Sequence, residues 1–164
     1  MSSLRTDKLL TAQHTIVISA PMERVFAALT QPEQITRWWG DDSVYWMTKV
    51  KQELRTGGAA NYFGTFTSGD AVSGSAAGRT FASTGLTLAA DPPRLLEYTR
   101  RYSDGIPCAE ETVIRYELEP FDGGTRLTVV NRGFETEEMR DLHTQGWERA
   151  FAWLDRYLTT EAAD

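Results

Sequence analysis

The chain has 164 residues, which at ~150 residues per domain reads as one domain, and its 41% apolar and 24% charged residues are ordinary globular proportions. Five Trp, six Tyr and seven Phe are too many rings for a disordered chain. Lys and Arg number 17 against 23 Asp and Glu, and the net charge of −6 speaks against a dedicated nucleic-acid binder with its basic face.

Residues 1–12 read as a polar arm ahead of a single domain over 13–160, with no apolar leader and no run approaching the ~20 apolar residues of a membrane span. A cytoplasmic protein is expected. His14–Ser19 is a β-branched strand, and Pro21 opens a short helix bearing Val25, Phe26 and Leu29. Thr30 and Glu33 have capping-box spacing ahead of a second helix with Ile35, Trp38 and Trp39, closed by Gly40.

From residue 43 to 134 the period changes to two, predicting six strands with short connections and hence an antiparallel meander. Val44, Trp46, Thr48 and Val50 are read as one face of the first of these, with Tyr45 and Met47 outward as candidates for a homodimer face. Tyr62 and Phe66 share a face. Ser68–Gly78 reads as a flap, Thr80–Ala89 as one strand, and Tyr98 with Arg100, then Tyr116, then Asn131 as inward residues of the last three. A long helix over about 136–159 carries His143, Trp147, Ala150, Leu154 and Leu158 as a stripe, widened by Phe151.

This is an α+β pattern, β-α-α-β6-α, most simply packed as a curved antiparallel sheet wrapped around the C-terminal helix. A helix cannot fill the concave face of such a sheet, so a cavity for a small ligand is expected unless side chains plug it. At the level of motifs the chain resembles the Bet v 1-like/START (SRPBCC) superfamily, with its helix-grip fold, and within it the group named after the C-terminal domain of the Hsp90 ATPase activator. The carriers are Ser19–Phe26, Leu29–Glu33, Arg37–Gly40, Glu53–Gly58, Gly85, Asp91–Leu96, Gly124–Thr128 and Gly146-Trp147 with Leu154, in family order. Departures are Glu53 where the family often has Asp, Thr56 where it often has Pro, and Asn131 where it often has His.

Catalytic signals are sparse. Cys108 is the single cysteine, so neither an internal disulfide nor a thiolate zinc site forms, and with no His near it in sequence it reads as an inert thiol. No HExxH, GxSxG elbow or phosphate loop is present, and no metal or cofactor is expected. His14 reads as a partly exposed strand residue. His143 is the one candidate for a general acid or base. The informative set is the rings with their polar companions: Trp39, Trp46, Tyr62, Phe66, Tyr98, Arg100, Tyr116, Asn131, His143, Trp147 and Phe151 are the candidate pocket lining. Arg100 on an inner face must pair with a carboxylate, meet a ligand or snorkel outward. The leading expectation is a non-catalytic or weakly catalytic binder of a small apolar or aromatic molecule. The resemblance also implies, as an alternative, a polyketide cyclase/aromatase-like enzyme. The Hsp90 partnership suggested by the group's name is not expected, because the eukaryotic activators carry a further chaperone-binding domain and only residues 1–12 precede the fold here.

Overall fold

The computed structural model describes residues 10–67 and 77–161. Strand β1 (Leu10–Ile18) leads into helices α1 (Met22–Thr30) and α2 (Pro32–Trp38). Seven strands follow: β2 (Tyr45–Gln52), β3 (Ala60–Phe66), β4 (Thr80–Thr84), β5 (Thr87–Asp91), β6 (Leu95–Asp104), β7 (Thr112–Phe121) and β8 (Gly124–Phe134). Helix α3 (Glu137–Glu161) closes the chain. The sheet runs β1-β8-β7-β6-β4-β3-β2, with β5 also pairing β6, and every ladder is antiparallel. Curved around α3, it forms a helix-grip fold.

Alternation decides which side chains face the helix. Leu96, Tyr98 and Arg100 of β6, Ile114, Tyr116 and Leu118 of β7, and Leu127, Val129 and Asn131 of β8 are all buried, as their period of two predicts. On α3 the stripe His143, Trp147, Ala150, Phe151, Leu154 and Leu158 is buried against them. Each fully buried large apolar side chain of this set stabilises the fold by roughly 1.5–3 kcal/mol.

Four local expectations are corrected. Strand β1 starts at Leu10, ahead of the predicted run, because Ala12 is fully buried in it; the remaining arm, residues 1–9, lies outside the described residues. The strand read over Thr80–Ala89 is two strands, making seven after the helices instead of six. They part at Gly85, where a Cβ would stand 1.8 Å from the Thr99 carbonyl oxygen, and β4 and β5 then pair with opposite halves of β6. Of the Ser68–Gly78 flap, residues 68–76 lie outside the described residues.

The capping box at Thr30 and Glu33 does not form. Pro32 at the start of α2 forces Gln31 into extended backbone (φ −85°, ψ 120°), so Gln31 is the cap and Thr30 belongs to α1, its hydroxyl donating to the Phe26 carbonyl at 2.8 Å. The fourth correction concerns β2. Its pairing with β3 slips between Met47 and Lys49, leaving Thr48 as the extra residue of a bulge, with Thr48 and Lys49 both exposed. A one-residue slip exchanges the faces of a strand. Val50 therefore points inward as expected, whereas ahead of the bulge Tyr45 and Met47 turn inward and Trp46 does not.

Candidate functional site

A cavity of about 70 Å³ lies between the concave sheet and α3. A water needs ~10–15 Å³ of such space and occupies ~30 Å³ of liquid. The cavity thus corresponds to roughly 150–200 Å³ of guest, about one substituted aromatic ring. Seven of the expected lining residues reach it: Trp39, Tyr62, Phe66, Tyr98, Arg100, His143 and Trp147. Trp46, Tyr116, Asn131 and Phe151 do not. Trp46 faces the other side of β2 and its indole donates to Asp42 at 3.2 Å. Tyr116, Asn131 and Phe151, none more than 0% exposed, form the layer behind the wall.

Several lining residues escaped the sequence reading. Tyr45 and Met47 enter through the β2 bulge, which removes the two residues offered for a dimer face. Phe81 and Ser83 come from β4, and Tyr102 extends the inward series Tyr98, Arg100 by one further alternation. Leu142, Gly146 and Arg149 add one edge of α3, and Ile106 the β6–β7 connection.

The rings pack against one another in stacked, tilted and edge-to-face pairs. Tyr62 stacks on Tyr98 at 5.5 Å, Trp39 meets Tyr62 at 5.9 Å and Trp147 at 5.7 Å, and Tyr45 meets Phe81 at 5.3 Å. Of the two neighbouring indoles, Trp39 borders the cavity, while Trp38 stacks behind it at 5.1 Å and donates to the Ala28 carbonyl. The Tyr62 hydroxyl donates to Gln52 Oε1 at 2.6 Å, and the Tyr98 and Tyr116 hydroxyls lie 3.3 Å apart. Burial raises all three phenols far from ionisation at neutral pH.

Arg100 is the exceptional residue of the wall. It is 9% exposed, and a guanidinium stays protonated in proteins. Its Nη2 donates to Asn131 Oδ1 at 3.2 Å, which also accepts from the Trp147 indole at 3.1 Å, while Asn131 Nδ2 donates to the Val113 carbonyl. The Tyr102 and Trp147 ring centroids stand 4.8 and 5.8 Å from its central carbon. Nε is buried without a partner, and among the described residues no carboxylate pairs with the group.

His143 is neutral by construction. The Met139 carbonyl 2.8 Å from Nδ1 can only accept, so the ring proton sits on Nδ1 and Nε2 accepts from the Tyr102 hydroxyl at 3.1 Å. Burial, and then the Arg100 charge, push its pKa down to about 3. General acid–base catalysis is most efficient when the pKa lies near the working pH; this imidazole is held well away from it, and its basic nitrogen is already engaged. Cys108 is 2% exposed and burial lifts its thiol to about 11, so it is not a nucleophile at neutral pH. Among the described residues no cluster of His, Cys, Asp or Glu would hold a metal, and no helix is long and apolar enough to cross a membrane.

The model of the family described as Activator of Hsp90 ATPase homolog 1-like protein matches residues 19–159. A solved Rhodobacter sphaeroides protein is 26% identical, covers 92% of this chain and 93% of its own, and superposes with a TM-score of 0.72. Protein Ms6760 of Mycobacterium smegmatis is 25% identical over 93% of this chain and 92% of its own, with a TM-score of 0.73. The AHSA1 protein of Silicibacter pomeroyi, at 20% identity over 93% and 99% of the two chains and a TM-score of 0.73, shares the fold. Comparison with curated proteins finds no match. With the ordered motifs, the helix-grip topology and the family match in agreement, the chain belongs to the Activator of Hsp90 ATPase homolog 1-like family.

Proposed function

We propose that the protein binds a small, ring-sized molecule in the cavity between the sheet and α3. The observation that carries this is a wall of mutually packed rings that stops short of filling the interior, leaving about 70 Å³. The fold agrees with it: a curved sheet closed by a helix is the framework of a ligand-binding superfamily. A mostly apolar concavity with a few placed polar groups is the ordinary form of a small-molecule site. The cyclase-like alternative requires His143, Arg100 and Tyr98 to steer protons. His143 and Tyr98 are both held in their neutral forms, which favours binding over turnover.

A control variant is built into α3. A Cβ on Gly146 meets nothing within 4 Å, and Gly146 lines the cavity, so Gly146→Leu has open space at its Cβ and narrows the site. Thermal-shift screening of a panel of neutral and charged one-ring compounds should give stabilising hits with the wild-type protein that disappear in Gly146→Leu. A panel with no hits, or hits of equal size in the variant, would refute the reading.

A further inference from the structure

We propose that the guest is an anion, a one-ring carboxylate whose head group pairs with Arg100; the inference rests on the binding function proposed above and specifies its chemistry. Three observations converge on it. First, among the described residues Arg100 uses one of the five N–H donors of a guanidinium, the Nη2 bond to Asn131. Its Nε is buried and unpartnered. An uncompensated charge in a low-dielectric wall is costly, and a fold retains it at least expense where a counter-charge arrives with a ligand.

Second, the sign of the lining is opposite to that of the chain. The sequence carries 23 Asp and Glu against 17 Lys and Arg, yet among the described residues no carboxylate lines the cavity. Its charged members are Arg100 and Arg149, and Arg149 also makes no ion pair among the described residues. Third, the neutral partners of Arg100 hold its plane without neutralising it. The Asn131 amide oxygen accepts one bond from Arg100 and shares itself with the Trp147 indole, and the faces of Tyr102 and Trp147 flank the guanidinium at 4.8 and 5.8 Å. A planar fork held this way, with free N–H groups, matches a carboxylate. The remaining volume fits one ring and leaves no room for a long acyl chain.

Titration calorimetry with benzoate and its neutral isostere benzamide separates the charge from the shape. Wild-type protein should bind benzoate at least tenfold more tightly than benzamide. Arg100→Met should erase that preference, Arg100→Lys should keep part of it, and Gly146→Leu should abolish binding of both. The wild-type comparison needs no variant and stands even if Arg100→Met fails to fold. Equal affinity of the two probes would overturn the anionic guest while leaving a ring-binding cavity intact. No binding of either at millimolar concentration would overturn both readings, and a benzoate preference that survives both Arg100→Met and Gly146→Leu would place the anion site elsewhere and refute this one.

Discussion

Replacing His143 with Gln should flatten the loss of stability that the protein suffers between pH 7 and pH 5. The folded imidazole is held at about 3 by burial and by Arg100, against 6.5 in its unperturbed state. Because the folded value is depressed, the unfolded chain takes up the proton first, and stability rises with pH across that interval. The contribution is at its best above about pH 6.5 and is lost as pH falls towards 3. At pH 5 the unfolded ring has gained about 1.5 units of protonation free energy that the folded ring lacks, and at 1.36 kcal/mol per unit this is about 2 kcal/mol. Urea unfolding followed by tryptophan fluorescence at the two pH values, for wild type and variant, measures the difference directly. His14 and the carboxylates are common to both proteins and cancel. Gln can keep one of the contacts to Met139 and Tyr102, so absolute stability falls modestly while the pH slope changes sharply. An equal fall in both proteins would refute a buried neutral His143.

Other consequences are simpler to test. Gly146→Ala should raise the melting temperature, since it removes the cost of a mid-helix glycine, about 1 kcal/mol, and its Cβ meets nothing within 4 Å. Gly85→Ala should do the reverse and strongly, by more than ~1–3 kcal/mol of ordinary overpacking, because its Cβ would lie 1.8 Å from the Thr99 backbone oxygen; chemical denaturation reads both. Cys108 should resist a thiol reagent at neutral pH in the native protein and react at once in urea, since it is 2% exposed with its thiol lifted to about 11. Fast native labelling would contradict its placement.

Much of this architecture is legible in the order of residues. Strands β6, β7 and β8 alternate through the stretches that carry Tyr98, Arg100, Tyr116 and Asn131, so their inward positions follow from the period alone. The stripe on α3 is equally regular. What hides is phase. The β2 bulge carries no Gly or Pro to announce it, and the clue is two consecutive polar residues, Thr48 and Lys49, between Met47 and Val50. Missing it put Trp46 on the wall in place of Tyr45 and Met47. Depth hides as well: alternation tells which face Tyr116 and Asn131 occupy, but only the packing of α3 tells that Trp147 stands in front of them. Tyr116 meets the Trp147 ring at 5.8 Å edge to face, and Asn131 accepts from its indole. The split at Gly85 was marked by the glycine itself, whose significance depends on the close approach of β6.

The contrast between an acidic chain and a cavity whose described lining carries no acid has a kinetic side. An anionic guest approaches a molecule of net charge −6, whose long-range field opposes it, before it reaches two arginines that favour it. Dissolved salt screens the outer repulsion over a Debye length of about 8–10 Å but penetrates little to a buried pair. Added salt should therefore speed the capture of such a guest while leaving its release nearly unchanged. Most oppositely charged partners behave in the reverse manner, so the salt dependence of the association rate would distinguish this interior from a surface site for anions.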